Sequence, residues 1–71
     1  MARYIVENRA FNTGEWYIKT STDRVASAFS VAQCQNWGRA SRVIDTLTGE
    51  VLYEKDEEPG AAELASEYRK F

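Results

Sequence analysis

Hydrophobic and polar positions alternate with a period of two at both ends of the first fifty-odd residues. Tyr4-Ile5-Val6-Glu7-Asn8 and Trp16-Tyr17-Ile18-Lys19 form one such pair of runs. Val43-Ile44-Asp45 and Val51-Leu52-Tyr53-Glu54 form a second. Period-two alternation bounded by turn residues predicts half-buried strands. Each pair is joined by the same grammar, x-Thr-Gly-Glu followed by bulky strand formers: "NTGEWYIK" from Asn12 and "LTGEVLYEK" from Leu47. A type I turn followed by a residue at positive φ, where glycine costs least, gives a hairpin loop with a bulge. Turns are therefore predicted at Asn12–Glu15 and Leu47–Glu50, with Gly14 and Gly49 at positive φ.

Pairing across those turns predicts the faces. In the first hairpin Ala10 meets Trp16, Asn8 meets Ile18 and Glu7 meets Lys19. Tyr4, Val6, Trp16 and Ile18 then share the core face, and Ile5, Tyr17 and Lys19 the other. In the second, Asp45 meets Val51, Ile44 meets Leu52, Val43 meets Tyr53 and Arg42 meets Glu54, an opposite-charge pair. Ile44 and Leu52 share one face, and Val43, Val51 and Tyr53 the other. Asp45 and Glu50 flank this turn, but a calcium loop needs more oxygen ligands at regular spacing. A phosphate loop needs more glycines and usually a lysine. The register accounts for these residues without a ligand. The matching turns fit either an old duplication or two independent uses of one turn.

Between the hairpins the period changes to that of a helix, with two readings of where it starts. In the long one Thr22 caps a helix from Asp23 to about Trp37, with Val25, Phe29 and Ala32 on one stripe beside Ala28, and Cys34 pointing away. In the short one Ser30 is the N-cap, Gln33 completes a capping box, and Phe29 and Cys34 form a hydrophobic staple. "RVASAF" is then a strand, and Val31, Cys34 and Trp37 line the buried face. Three local signals agree at Ser30 and favour the short reading, in which Cys34 is buried. Residues 31–37 are helical in both, and Gly38 is the stop.

At "DEEPG" the pattern breaks. Pro59 and Gly60 end the strand, and residues 56–60 read as an acidic linker after a single domain over residues 1–55. Residues 61–71 place Leu64, Tyr68 and Phe71 at i, i+4 and i+7 of an amphipathic helix, with acids near its start and Arg69 and Lys70 near its end. Eleven residues are too few to be helical alone, so this helix needs its own sheet, another copy or another partner. The predicted fold is α+β: an antiparallel sheet of four or five strands (ββαββ or βββαββ) packed on one main helix, with a short C-terminal helix. The run "IVEN…GEWYIK…FS-x-x-Q…RVIDTLTGEVLYE" resembles a class of small uncharacterised bacterial and phage proteins with this hairpin-helix-hairpin layout. The resemblance spans residues 4–54. It implies a fold and assigns no site residues.

Composition narrows the function. Seventy-one residues make one small domain, with a core too thin to be generous. Cys34 is the only cysteine and there is no histidine, so an intrachain disulfide and a Cys/His zinc site are excluded. No signal-peptide pattern and no membrane-length apolar run is present, and the lone thiol suits a cytoplasmic protein. Residues 1–55 hold seven basic and six acidic side chains, and residues 56–71 two basic and five acidic. That near-neutral body and acidic tail are a poor footprint for gripping phosphate backbones.

No constellation for chemistry is present, so the expectation is no catalytic residue, no metal, no cofactor and no enzyme. The expected function is a small protein-interaction module, an adaptor or inhibitor of bacterial or phage origin that binds a protein complex or a second copy of itself. Its candidate contact residues are Ile5 and Tyr17 on the uncovered sheet face and Leu64, Tyr68 and Phe71 on the tail helix. The alternative is a nucleic-acid-binding protein that stacks bases on sheet aromatics, with Arg39 and Arg42 on phosphates. No glycine-aromatic RNA signature supports that alternative.

Overall fold

The structure, a computed structural model, describes residues 2–34 and 36–68, with Tyr68 by its backbone alone. Strand β1 (Tyr4–Arg9) and β2 (Trp16–Thr22) form the first hairpin, helix α1 (Val25–Cys34) follows, and β3 (Ser41–Asp45) and β4 (Glu50–Lys55) form the second hairpin. A short helix α2 (Ala61–Tyr68) ends the described chain. The sheet is antiparallel throughout, in the order β2-β1-β3-β4, so the two hairpins meet through β1 and β3. The fold is the four-stranded ββαββ form; "RVASAF" belongs to α1 and adds no fifth strand.

Both turns are built alike, which explains the repeated Thr-Gly-Glu. Gly14 N–H donates to Ala10 C=O at 3.0 Å, and Gly49 N–H to Asp45 C=O at 2.7 Å. Gly14 and Gly49 sit at φ 71° and 77°, as the sequence predicts. In each turn the threonine hydroxyl accepts from the N–H of the following glutamate, Glu15 to Thr13 and Glu50 to Thr48, both at 3.2 Å. Asp45 adds an Asx-turn by accepting from Leu47 N–H at 3.0 Å.

The loops are four residues long, one shorter than the predicted pairing assumes, and this overturns the predicted faces. Next to the first turn, Arg9 pairs with Trp16, Asn8 with Tyr17 and Glu7 with Ile18. A bulge at Lys19 then shifts the register, and Val6 pairs with Thr20. The second hairpin keeps the predicted Val43–Tyr53 and Arg42–Glu54 pairs. A bulge at Leu52 then brings Ile44 against Val51 and Asp45 against Glu50. A one-residue slip exchanges the two faces of a strand. Trp16 and Ile18 therefore lie on the face away from Val6, and Tyr17 lies on the same face as Asn8. Val51 joins Ile44 rather than Val43.

Helix α1 covers the Val6 face, and the long reading of the helix holds. Arg24 C=O accepts the first helical bond from Ala28 at 3.1 Å, and Thr22 Oγ1 accepts from Arg24 N–H at 3.1 Å. Ala28 and Ala32 are fully buried against Val6 and Val43, with Tyr4, Phe29, Val31 and Tyr53 packed around them. Phe29 meets Tyr53 edge to face, with centroids 5.6 Å apart. Starting the helix at Ser30 would leave Ala28 in a strand and strip this contact from the core. A capping box is worth about 1 kcal/mol, less than the burial it would forfeit, roughly 0.8 kcal/mol for each methyl-sized group plus the packing of Phe29. Two further expectations fail with the short reading. Cys34 is exposed, and Trp37 is 65% exposed rather than in the core.

The helix ends at Cys34, before the predicted stop, and the chain reverses through Asn36-Trp37-Gly38, with Trp37 at φ 56° and Gly38 at φ 79°. Asn36 holds this reversal from inside. Its Nδ2 donates to Ala32 C=O at 2.6 Å and to Ser41 Oγ at 2.7 Å, and its Oδ1 accepts from Gly38 N–H at 3.1 Å. Ser41 Oγ passes the chain on by donating to Asn8 Oδ1 at 2.8 Å. Asn8, Asn36 and Ser41 are all buried, so a hydrogen-bonded polar relay runs through this small interior. The linker docks on the same reversal, with Glu58 N–H donating to Gly38 C=O at 2.8 Å and Glu58 paired to Lys55 at 3.3 Å.

Candidate functional site

The face of the sheet opposite α1 carries no covering element among the described residues, and its residues come from all four strands in register. One row across the sheet is Ser21, Ile5, Ile44 and Val51; the next is Ile18, Glu7, Arg42 and Glu54. Ile18 is 56% and Val51 49% exposed, while Ile5 and Ile44 are half-buried between their neighbours. Across β1, β3 and β4, aliphatic groups thus form one row and alternating charges the next, with Ser21 and Ile18 at the β2 edge.

Arg42 organises the charged row. Its Nε donates to Glu7 Oε1 at 2.6 Å, and its guanidinium lies over the Trp16 ring, 4.1 Å from the centroid. Trp16 stands beside Arg9, whose Nε is turned back to Gly14 C=O at 2.9 Å. The indole is therefore fixed from one side by a cation and stays on the open face as a rigid platform. A β-branched or aromatic residue on every strand gives the surface the stiffness that recognition favours, since little side-chain entropy is left to lose.

The predicted contact residues do not form one surface. Ile5 lies on the open face. Tyr17 is on the α1 side of β2, exposed at the sheet edge. Leu64 is 58% exposed on α2, and no Cα of α2 comes within 8 Å of a Cα of α1 or of any strand among the described residues. The buried side of α2 is its alanine side, with Ala61 against Gly38. The Tyr68 side chain and Phe71 lie outside the described residues. Arg39 and Arg42 contact different aromatic rings, Phe11 and Trp16. Arg39 stacks over Phe11 at 4.6 Å and donates to Asn36 C=O at 3.3 Å, at the end of the sheet near the first turn.

Trp16 and Ile18 were missed as contact residues because the assumed turn was one residue too long, and for the same reason Ile44 and Val51 were assigned to opposite faces, neither of them chosen as the open one. The alternation along each strand gives no signal of the loop length, because either register preserves it. A second apolar feature is a groove of about 320 Å³ where Cys34, Trp37, Pro59 and Leu64 converge. It is shallow and sits on the reversal that anchors the linker.

A further ion pair, between Arg3 and Asp45, is a structural one. Arg3 binds Asp45 through two bonds, Nε to Oδ1 at 3.2 Å and Nη2 to Oδ2 at 3.0 Å. That hydrogen bonding holds the Asp45 carboxyl below its ordinary range against the opposing effect of desolvation, with the Leu47 and Thr48 N–H groups adding to it. Arg3 is raised correspondingly, first by the same hydrogen bond. The pair ties the start of the chain to the second turn, where Thr46 also donates to Arg3 C=O at 2.6 Å. Among the described residues no three acidic or thiol side chains gather as a metal site, and no helix is long and apolar enough to cross a membrane. No protein-family model, no functionally characterised protein and no solved structure matches the chain.

Proposed function

We propose that this chain is a non-enzymatic protein-interaction module that works through the open face of its sheet. The observation that carries this reading is the row of Ile5, Ile44 and Val51, continued by Ile18 and Trp16, left uncovered on a sheet whose other face is sealed by α1. A contiguous apolar strip rimmed by charge is the usual makeup of a protein contact surface. In this role the chain acts as a cytoplasmic adaptor or inhibitor, by presenting this face to a protein partner. The nucleic-acid alternative has less support, because the guanidiniums of Arg39 and Arg42 are each already engaged by protein groups.

The test is a photo-crosslinking amino acid placed at Ile18 and, as a control, at Thr22 on the α1 side of the same strand. Irradiation in the cell is expected to give a discrete protein adduct from the Ile18 position and none from Thr22. Absence of any protein adduct from Ile18, with the chain folded and abundant, refutes the reading. A nucleic-acid adduct in its place establishes the alternative.

A further inference from the structure

The order of residues across the open face says what can cover it. The two central strands present Ile5 beside Ile44 in one row and Glu7 beside Arg42 in the next, and each pair is in direct register. Turn such a surface over about a two-fold axis parallel to the strands, running between β1 and β3. Each row then meets itself in reverse. Ile5 faces the second copy's Ile44 and Ile44 its Ile5, while Glu7 faces its Arg42 and Arg42 its Glu7. The central isoleucine pair is symmetric under reversal and the central charged pair is antisymmetric, as an isologous interface requires, while at the edges of the apolar row Ser21 meets Val51. An axis perpendicular to the strands lacks this property: placed between the rows it lays isoleucines over charges, and placed along the apolar row it sets the Glu7–Arg42 row over a different row. At the rim Ile18 meets Glu54, which is exposed and can turn its carboxylate to water. Aligned packing of two twisted sheets within about 30° is the ordinary geometry of a sandwich.

We propose that two copies of this chain associate face to face through this surface as a reversible homodimer. The proposal rests on the reading of the open face as a protein contact and names the occupant. Size sets its strength. Four strands spaced by about 4.8 Å and five residues at about 3.3 Å give a face of roughly 320 Å² per copy. Two such faces bury about 650 Å², or somewhat more once side-chain relief is counted, against about 1,200 Å² for a lasting complex. The dimer is therefore a weak one, populated between roughly 10 μM and 1 mM.

The charge pattern supplies a test that a purely structural role for the Glu7–Arg42 pair would not pass. Arg42→Glu places acids against acids across the axis, and Glu7→Arg places bases against bases. Each variant alone is expected to stay monomeric at concentrations where the wild type sediments as a dimer. Mixed in equal amounts the two variants are complementary at both central contacts. The mixture is expected to form a one-to-one dimer at least tenfold tighter than either variant alone. Circular dichroism confirms that each variant is folded; should either fail to fold, Val51→Lys, at an exposed site, is expected to abolish the wild-type dimer. The proposal is overturned by a wild-type chain monomeric at 1 mM, by folded variants that self-associate like wild type, by a mixture that stays monomeric, or by a Val51→Lys dimer. A crosslinked heterologous protein at Ile18, with a purified chain that stays monomeric, overturns the dimer and leaves the protein-contact reading intact.

Discussion

Replacing Asn36 by alanine should be among the most damaging single changes in this chain, although it removes no apolar surface. The side chain is buried, and four groups depend on it: Ala32 C=O, Ser41 Oγ, Gly38 N–H and, at a marginal 3.5 Å, Lys55 Nζ. Alanine leaves the Ala32 carbonyl and the Gly38 N–H without this partner and takes one donor from Ser41, which still donates to Asn8. Each buried group left unpaired costs about 1–3 kcal/mol, and Ser41 and Lys55 add little. The expected loss is about 2–4 kcal/mol. A domain of 71 residues has roughly 4–10 kcal/mol in total at 0.05–0.15 per residue. Urea denaturation followed by far-ultraviolet circular dichroism reads this directly. With a slope near 1 kcal/mol per molar for so small a protein, the midpoint should fall by about 2 M or more. Asn36→Asp should act in the same direction, because a carboxylate can only accept, and it would face the Ala32 carbonyl. Ser41→Ala should cost less, about 1–2 kcal/mol. An Asn36→Ala loss under about 0.5 kcal/mol would show that water replaces the amide, and the relay would then not hold the reversal.

Three further outcomes are expected. Gly49→Ala, at φ 77° with open space around the new methyl, should cost about 1 kcal/mol. Gly38→Ala should cost more, because its methyl would lie 2.8 Å from Ala61 Cβ; equal melting temperatures for the two would refute this. Asp45 has a folded pKa below its unfolded value, so its contribution is present above the unfolded pKa near 3.9 and is lost as pH falls through the folded value. Asp45→Asn should therefore flatten the stability–pH curve on its acid side, and an unchanged curve counts against the Arg3–Asp45 pair. Cys34 should react with a thiol reagent in the native protein at nearly the rate seen in urea, given its exposure, and slow native labelling would contradict the placement of the α1 C-terminus.

What the amino-acid order determines by itself is local. Period-two runs make the four strands, and the Thr-Gly-Glu chemistry makes two identical turns, because hydroxyl, backbone N–H and positive φ are all within a few residues of one another. The antiparallel α+β class follows from these elements and from the helical stretch between them. The tertiary structure decided which way each strand faces. A loop one residue shorter than expected, compensated by bulges at Lys19 and Leu52, moved Trp16, Ile18 and Val51 onto the open face and Tyr17 off it. Local pattern cannot see this, since either register keeps the alternation intact and only packing against α1 chooses between them. The helix start was settled in the same way. Ser30 has the better cap by local rules, but Ala28 is fully buried against Val6 and Val43, and only a helix begun at Val25 delivers it there. The buried relay of Asn8, Ser41 and Asn36 was invisible for a related reason: polar residues far apart in the chain give no sign that they will share one interior, because the partner that satisfies each is chosen by the fold and not by its neighbours in sequence.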